Sequence, residues 1–376
     1  MRQNQGTTPS CLIVGNYCHD VLIKDGVVLA ESLGGASSFI SAVLDGLSVS
    51  STIISKVGPD FSYPVTHPPL LIPSSLTTLF HAHFSSQITI HDRLLKRVRA
   101  CHPINPSDLP ITSRFRFGLA VGVAGEISPE TLEKMLDICD TVFVDVQSLI
   151  RVFDPHDGTV NLVQLKESGF YHLLPRLGFL KASSDEAPYV DVDEAKDKCC
   201  VVVTNGKDGC TVYCGDGEQR IAPFPTVQVD PTGAGDSFLG GFVCGLANGL
   251  AVPDAALLGN FFGSLTVGQI GLPQFDFRLL QAVKDEVYKK RFQIIGCHKK
   301  QNDNLIFVKP LDHEEFLAAL GAAKTKATCL SQECQCPLPS LPRVAESHNH
   351  LPCSGHPKLF PNTICDKPIE SSHGTP

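Results

Sequence analysis

Short apolar runs alternate with helical patterns between residues 117 and 206, and this alternation constrains the fold most strongly. Four runs predict buried strands: FGLAVGVAG (117–125), TVFVDVQ (141–147), GFLKAS (178–183) and CCVVVTNG (199–206). Consecutive parallel strands need a crossover connection, which is usually a helix. A parallel sheet is buried on both faces, so its strands are apolar throughout. The sequence therefore predicts a doubly wound α/β fold, with helices on both faces of a mostly parallel sheet.

The connecting segments predict the helices. ISPETLEKMLDIC (127–139) has Ser128 as its cap and Pro129 at its first helical position, and LVQLKESGFYHLLPRL (162–177) predicts a second helix. Residues 210–225 predict a hairpin-like insertion. Residues 64–84 carry four prolines and little periodicity, so no regular element is predicted there. Two apolar helices are predicted at 237–250 and 253–271, and small residues allow them to pack closely: Gly240, Gly241, Gly245, Gly259 and Gly263.

Composition and charge exclude several classes of partner. The chain has 376 residues and a net charge of −8, and it has no long block of Lys and Arg, so a nucleic-acid partner is not expected. No apolar run reaches the roughly 18 residues that a membrane span needs, so a membrane partner is not expected either. The N-terminus, MRQNQGTTPS, has no apolar signal core, which predicts a cytoplasmic protein. We therefore expect the 15 cysteines to be thiols, with Cys199 and Cys200 packed in a buried strand.

The C-terminal segment differs from the rest of the chain. Eight of the last 40 residues are proline, against 27 in the whole chain, and no hydrophobic period accompanies them. The histidines and cysteines of this segment match no standard zinc-finger spacing. We therefore predict that residues 311–376 are a largely disordered extension.

One motif, DPTGAGDSF (230–238), carries chemistry. Gly233 and Gly235 permit backbone angles that other residues avoid, and an apolar helix follows at once. Successive N–H groups at a helix N-terminus form an anion site. Asp236, in the first turn, can accept the proton of a hydroxyl that attacks phosphorus. A capped helix after a tight turn is the alternative interpretation.

DPTGAGDSF resembles the C-terminal signature of the PfkB, or ribokinase-like, carbohydrate and nucleoside kinases, over about residues 10–290. The resemblance implies a ribokinase-like kinase domain at 1–310, with a small β-sheet lid from about 21–33 and 85–101. It implies that Asp236 is the catalytic base and that the amides of Gly233, Ala234 and Gly235 form the anion hole. It also implies ATP and Mg²⁺ as cofactors, and the chain has no P-loop motif that would bind ATP differently.

The same resemblance implies a substrate site near the N-terminus. Asp20, in GNYCHD (15–20), matches the family's substrate-binding acid, although a turn acid is the alternative. Gly34 and Gly35 match the glycine pair of the N-terminal signature, where the backbone approaches the substrate. The family's asparagine four residues later is Phe39 here, which argues against a ribose- or adenosine-type pocket.

Further positions resemble the family's metal and nucleotide motifs. SSDE (183–186) resembles Asn-x-x-Glu, so Glu186 would hold Mg²⁺ through water while Ser183 replaces the asparagine. TNGKDG (204–209) resembles the nucleotide loop. The residues that would bind the nucleotide are Ser183, Thr204, Gly206, Gly209 and Asn260. A buried packing role is the alternative for Asn260.

Within the family, the pattern is most similar to a subgroup of plant kinases that phosphorylate myo-inositol. The similarity lies in GNYCHDVLI, GGASSF, VDVQSLIR, FLKASSDEA and VVVTNGKDGC. It implies transfer of phosphate from ATP to a small polyol, giving inositol 3-phosphate. Another sugar or nucleoside kinase, and a catalytically silent regulatory or assembly protein, remain as alternatives. The chain could be a monomer or a lid-mediated dimer.

Overall fold

The computed structural model describes residues 11–84, 94–215, 217–297 and 305–333. In chain order, its strands are β1 (Cys11–Val14), β2 (Cys18–Lys24), β3 (Val27–Gly34), β4 (Ser51–Ile54), β5 (Lys56–Val57), β6 (Leu70–Leu71), β7 (Thr78–Phe84), β8 (Leu94–Arg99), β9 (Phe115–Ala120), β10 (Cys139–Asp145), β11 (Arg151–Phe153), β12 (Val160–Leu162), β13 (Phe179–Ser183), β14 (Cys200–Thr204), β15 (Cys210–Cys214) and β16 (Gly217–Ile221). Its α-helices are α1 (Ala36–Gly46), α2 (Pro129–Ile138), α3 (Gln147–Ile150), α4 (Val192–Ala195), α5 (Ala234–Ala247), α6 (Val252–Thr266), α7 (Phe277–Cys297) and α8 (His313–Glu333).

The main sheet has eight strands in the order β16-β15-β14-β13-β10-β9-β1-β4. From β4 to β14 every neighbouring pair is parallel, and β15 and β16 continue the sheet as an antiparallel hairpin. Strand β1 has the all-apolar sequence CLIV and is buried along its whole length. The predicted α/β class and the predicted hairpin are therefore confirmed.

Helices cover both faces of this sheet. Successive side chains of a strand point to opposite faces, so neighbouring residues of β1 belong to different cores. Cys11 and Ile13 of β1 belong to a core that also contains buried residues of α1, α5 and α6. Leu12 and Val14 belong to a second core, which contains buried residues of α2. The sheet thus forms the middle of three layers, as the sequence predicts.

Glycines allow α5 and α6 to pack with their backbones nearly in contact. A Cβ at Gly241 would lie 2.7 Å from the carbonyl oxygen of Leu258, and a Cβ at Gly245 would lie 2.7 Å from the Cα of Ala255. Both glycines lie inside α5 and neither forms a turn. What matters at these positions is therefore the absence of a side chain. Close packing fixes α5, whose N-terminus carries the DPTGAGDSF motif.

A separate four-stranded sheet has the order β3-β2-β7-β8. Its strands β2 and β3 and part of β8 fall in the ranges predicted for the lid, while residues 85–93 lie outside the described residues. Strand β7, Thr78–Phe84, lies where the sequence predicts no regular element. It pairs with β2 in parallel over its whole length, so a non-local partner supplies the hydrogen bonds that local pattern does not indicate.

Two other local predictions are wrong. The helix predicted at 162–177 is instead a pair of short 3₁₀ turns, Leu165–Glu167 and Tyr171–Arg176, and Pro175 lies within the second. Proline removes a backbone donor and disfavours a continuous α-helix there. The expectation of free thiols fails for Cys200 and Cys214, which face each other across β14 and β15 and form a disulfide.

The structure continues beyond the domain boundary predicted at residue 310. Helix α8 follows it, and its side chains Phe316 and Leu320 are buried in the core that contains α5 and α6. The compact unit accordingly extends to Glu333, and the remaining residues, 334–376, lie outside the described part of the chain. No helix in the described part is both long enough and apolar enough to cross a membrane.

Candidate active site

A cleft lies between the carboxyl edge of the main sheet and the small sheet. The cavity within it has a volume of about 80 Å³. In open α/β sheets, ligands bind outside the carboxyl ends of the strands. The predicted residues Asp20, Gly35, Gly233 and Asp236 all line this cleft, and Phe39, Gln147 and Arg151 line it with them. Residues distant in sequence therefore meet at one site.

The predicted anion hole begins at Gly233, which caps α5 in the left-handed conformation with φ = 75°. The amide of Ala234 donates a 3.3 Å hydrogen bond to the carbonyl oxygen of Pro231. The amides of Gly233, Gly235 and Asp236 donate no hydrogen bond within the described part of the chain. Of the three predicted amides, two are thus available to an anion as they stand, and Asp236 adds a third. These donors lie at the positive end of a 14-residue helix, which favours negative charge.

Asp236 places its carboxylate beside these amides. Gln147, at the start of α3, donates a hydrogen bond from Nε2 to Asp236 Oδ1 at 3.2 Å. Burial raises the pKa of Asp236, while the positive charges of Lys181 and Arg151 partly offset that effect. A carboxylate with a raised pKa is a stronger proton acceptor than an exposed aspartate. The geometry suits proton abstraction from a hydroxyl in the cleft.

Phe39 explains why position 233 must be glycine. A Cβ at Gly233 would lie 2.1 Å from the Phe39 ring, which is itself buried. The ring therefore forms a wall of the cleft directly against the turn before α5. The side chain that departs from the family pattern supplies an apolar surface where the family's asparagine would supply hydrogen bonds.

The N-terminal glycine pair also makes room for a functional side chain. A Cβ at Gly34 would lie 2.0 Å from Asp20 Oδ2, so the Asp20 carboxylate packs directly on the glycine backbone. Gly35 has φ = 86°, and a Cβ there would lie 2.4 Å from the carbonyl oxygen of Asn16. The pair thus lets the start of α1 approach β2 closely, with Asp20 facing the cleft.

Glu186 and Ser183 interact at the carboxyl end of β13. The Glu186 Oε2 atom accepts hydrogen bonds from the Ser183 amide at 2.8 Å and from the Ser183 hydroxyl at 2.9 Å. Burial acts to raise the pKa of Glu186, but Lys181, Arg151 and the Ser183 donors outweigh it and lower the pKa. The other carboxylate oxygen, Oε1, has no hydrogen bond within the described residues, so a metal-bound water could donate to it.

The described side chains do not indicate a metal site built from protein ligands alone. Among the described residues there is no group of three or more His, Cys, Asp or Glu side chains that could hold a metal ion. Mg²⁺ usually keeps several waters and binds through one or two carboxylates plus the phosphates of its substrate. The residues present fit that mode and do not form a closed protein cage.

The predicted nucleotide residues do not line the cleft. Gly206 has φ = 55° and Gly209 has φ = 86°, so both need the freedom of glycine in the loop after β14. Thr204, at the end of that strand, donates from its hydroxyl to the Ala182 carbonyl at 3.4 Å. Asn260 donates to the carbonyls of Ile221 and Ala222, so its amide anchors the end of β16. That contact supports the packing alternative for Asn260.

Sequence reasoning missed four charged or polar groups in the cleft or beside it. Lys181 pairs with Asp145 at 2.9 Å, Gln147 contacts Asp236, and Arg151 lines the cleft. The motifs VDVQSLIR and FLKASSDEA were noted only as family resemblances. A charged side chain within each of two largely apolar strands, Lys181 in β13 and Asp145 in β10, was the signal that could have identified the pair.

Known proteins resemble the chain closely. A family model described as pfkB family carbohydrate kinase matches residues 179–274. An inositol 3-kinase of Arabidopsis thaliana is 59% identical over 327 residues, covering 86% of this chain and 89% of that protein. An inositol 3-kinase of Zea mays is 55% identical over 329 residues, covering 83% and 86%. A solved pyrophosphate-dependent kinase in the ribokinase family, complexed with a pyrophosphate analog and myo-inositol, has a TM-score of 0.61 at 17% identity, covering 70% of this chain and 97% of that one.

The fold, the cleft and these similarities together define a phosphotransferase that acts on an alcohol group. The chain belongs to the pfkB family of carbohydrate kinases. Membership implies a small polyol as acceptor and a nucleotide as phosphoryl donor. The resemblance inferred from DPTGAGDSF is thereby confirmed.

Proposed function

We propose that this protein transfers the γ-phosphoryl group of ATP to myo-inositol and forms inositol 3-phosphate. The observation that most supports this proposal is the position of Asp236. It is buried in the cleft, beside amides at the N-terminus of α5 that donate no hydrogen bond within the described residues. The substrate follows from the relatives in Arabidopsis thaliana and Zea mays, each an inositol 3-kinase covered over more than four fifths of its length.

In this proposal, Asp236 takes the proton of the attacking hydroxyl, and the amides of Gly235 and its neighbours stabilise the charge on the transferred group. Asp20 lies on the same cleft and accepts hydrogen bonds from other hydroxyls of the ring. Phe39 presents a flat apolar wall to the C–H face of a cyclic polyol. A neutral polyol calls for such directional acceptors rather than for a cluster of basic side chains.

Charge at the base of the cleft supports Mg²⁺ as the metal of the donor. Asp145, Glu186 and Asp236 interact there with two cations, Lys181 and Arg151, and this leaves an excess of negative charge. A polyphosphate would be repelled by that excess unless it arrives with a divalent cation. Bound Mg²⁺ would supply charge stabilisation on the phosphates, and Glu186 would hold it through water. Thr204, Gly206 and Gly209 would contact the nucleotide.

The small sheet is proposed as the lid. Asp20 on β2 and Phe80 on β7 both face the cleft, so movement of this sheet would change access to it. Closure would exclude water and suppress hydrolysis of ATP. A cytoplasmic location remains a prediction from the sequence.

The test is a turnover panel with purified protein. MgATP or magnesium pyrophosphate is offered as donor, with myo-inositol, other inositols, ribose, fructose and adenosine as acceptors. We expect myo-inositol and MgATP to give the fastest turnover, and NMR of the product to place the phosphate on the 3-hydroxyl. Asp236→Asn should lower kcat by about 10²-fold or more, because the base is lost.

Other outcomes assign other functions. Faster turnover of a sugar or nucleoside would keep the mechanism and replace the substrate. Turnover with pyrophosphate alone would replace the donor. Absence of turnover with every pair, in protein that still binds MgATP, would favour the silent regulatory protein.

A further inference from the structure

Lys181 carries a buried positive charge that the reaction described above does not use. Its side chain is only 8% exposed, and it pairs with Asp145, which is fully buried, at 2.9 Å. Burying two charges costs several kcal/mol per ion before their mutual attraction is counted. A hydrophobic pair of similar volume would fill the same space without that cost, so the ion pair needs an explanation beyond packing.

The ammonium lies against the anion hole. A Cβ at Gly235 would lie 2.9 Å from Lys181 Nζ, which places the charge beside the third residue of the GAG turn. An ammonium has three N–H donors. Asp145 takes one, and no other hydrogen bond to this nitrogen occurs in the described part of the chain. Two donors therefore remain for oxygens of a bound anion.

Lys181 stays charged despite its burial. Burial acts to lower its pKa, but Asp145, Glu186 and Asp236 raise it above the ordinary lysine value. The ammonium therefore does not act as a proton donor at neutral pH; it is a fixed positive charge. Fixed charges aimed at the site where negative charge develops are the most effective kind of transition-state stabilisation.

We propose that Lys181 is a catalytic cation that contacts the phosphoryl group in flight, and that Asp145 is the positioning residue that holds its ammonium at the anion hole. The proposal rests on the proposed kinase function and deepens it. Asp145 is the last residue of strand β10, and Lys181 lies directly opposite it in the neighbouring strand β13. Strand pairing thus aligns the two side chains at the carboxyl edge.

The chain offers a matched control for a purely structural ion pair. Lys290 is 3% exposed and pairs at 3.2 Å with Asp254, which is fully buried, between α7 and α6. Lys181 is the side chain that a Cβ at Gly235 would meet, whereas neither Lys290 nor Asp254 lies within 4 Å of that position. Lys290→Met therefore removes a lysine of the same burial from a buried carboxylate, with no route to the phosphoryl group.

The experiment compares Lys181→Met, Lys181→Arg, Asp145→Asn and Lys290→Met with the unaltered protein. We expect Lys181→Met to lower kcat for myo-inositol about 10²- to 10³-fold, as loss of one oxyanion donor does, with the Kd for myo-inositol changed less than threefold. Lys181→Arg should restore part of kcat because it keeps the charge. Asp145→Asn, which keeps the shape of the pair, should lower kcat about tenfold to 10²-fold. Lys290→Met should leave kcat unchanged.

A second readout does not require turnover. Calorimetry measures the Kd of an ATP analogue with an imido β,γ-bridge and the Kd of ADP. Lys181→Met should weaken the analogue by about tenfold, because the lost charge faces the terminal phosphoryl group, and should weaken ADP less than twofold. Equal effects on both nucleotides, or kcat within threefold of the unaltered protein, would overturn the proposal. Absence of inositol turnover in the unaltered protein would instead refute the proposed function, and the two nucleotide affinities would still decide the role of Lys181.

Discussion

Residues at the base of the cleft shift one another's protonation. Burial raises the pKa of Asp145 to about 6, even with Lys181 beside it. Burial also raises the pKa of Asp236, whereas Lys181, Arg151 and the Ser183 donors lower that of Glu186. Neighbouring carboxylates with pKa values moved in opposite directions are typical of sites where one accepts a proton and another stays ionised.

The raised pKa of Asp236 predicts opposite effects on activity and stability. The folded state holds this proton more tightly than the unfolded state, so ionisation at neutral pH costs folding free energy. Asp236→Asn should therefore raise the thermal midpoint at pH 7.5, by about 2 °C, while it removes activity. Differential scanning calorimetry measures the change. The acid limb of the pH dependence of kcat should likewise lie above the range of an exposed aspartate, and a limb near pH 4 would contradict this assignment.

Gly233 should tolerate no side chain. Gly233→Ala forces a residue with a Cβ into φ = 75° and drives that atom into the Phe39 ring. We expect a loss of about 3 kcal/mol in the free energy of unfolding, with kcat below one hundredth. Gly249→Ala is the control, because Gly249 follows the other end of α5 at φ = 82° with open space around it. This variant should lower the free energy of unfolding by about 1 kcal/mol and leave kcat unchanged. Urea unfolding measures both variants, and equal losses would show that Phe39 does not constrain the turn.

At the scale of elements, α5 is held in place by its contact with α6. The proposed anion hole lies at the N-terminus of α5, so any shift of this helix moves the amides and Asp236 together. Gly241 and Gly245 bring α5 against Leu258 and Ala255 of α6. Glycine lowers the helical propensity of both segments, and the close packing offsets that cost.

A methyl group in that contact should separate the helices. Gly241→Ala places its Cβ 2.7 Å from the Leu258 carbonyl oxygen, a backbone atom that cannot rotate away. We expect the free energy of unfolding to fall by about 2 kcal/mol. We also expect kcat to fall, because α5 must move to make room for the methyl group. Gly321→Ala in α8 meets no atom within 4 Å and should stabilise by about 0.5–1 kcal/mol. Denaturant unfolding of both variants checks the pair, and a neutral Gly241→Ala would mean that the helices are free to adjust.

At the scale of the whole molecule, the last described helix belongs to the core. Asp254 of α6 lies 2.6 Å from His313 Nδ1 of α8 and forms an ion pair with Lys290 of α7. Lys290 also pairs with Asp312, just before α8. One buried carboxylate thus joins three helices on the face of the sheet that supports α5.

Removal of α8 should therefore disrupt the fold. A chain that stops after Pro310 loses the buried side chains Phe316 and Leu320 and leaves Asp254 without His313. Each fully buried side chain contributes about 2 kcal/mol, and the loss of the His313 contact leaves a lone pair of the buried Asp254 carboxylate without a donor, so we expect little soluble protein. A chain that stops after Glu333 should keep the thermal midpoint and kcat of the full chain. If both truncated chains kept the thermal midpoint and kcat of the full chain, the boundary predicted at residue 310 would be supported.

Local sequence determined the features that contiguous residues build. DPTGAGDSF gave the glycine turn, the helix N-terminus and the acid in one stretch, so the anion hole and its base could be inferred without a fold. The parallel sheet followed from apolar runs of strand length, because a strand buried on both faces leaves that mark. Ser128 and Pro129 likewise start α2 as predicted, since a cap acts within one turn.

Tertiary structure alone decided what depends on residues far apart in the chain. Lys181 meets Asp145 and Gln147 meets Asp236 only because the carboxyl ends of parallel strands share one edge with the start of α5. Strand β7 forms because β2 offers it a partner about 60 residues away. Helix α8 joins the core because α6 presents Asp254 to it. Hydrogen bonds and ion pairs of this kind have no local pattern, whereas a turn, a cap and an apolar run are complete within the few residues that form them.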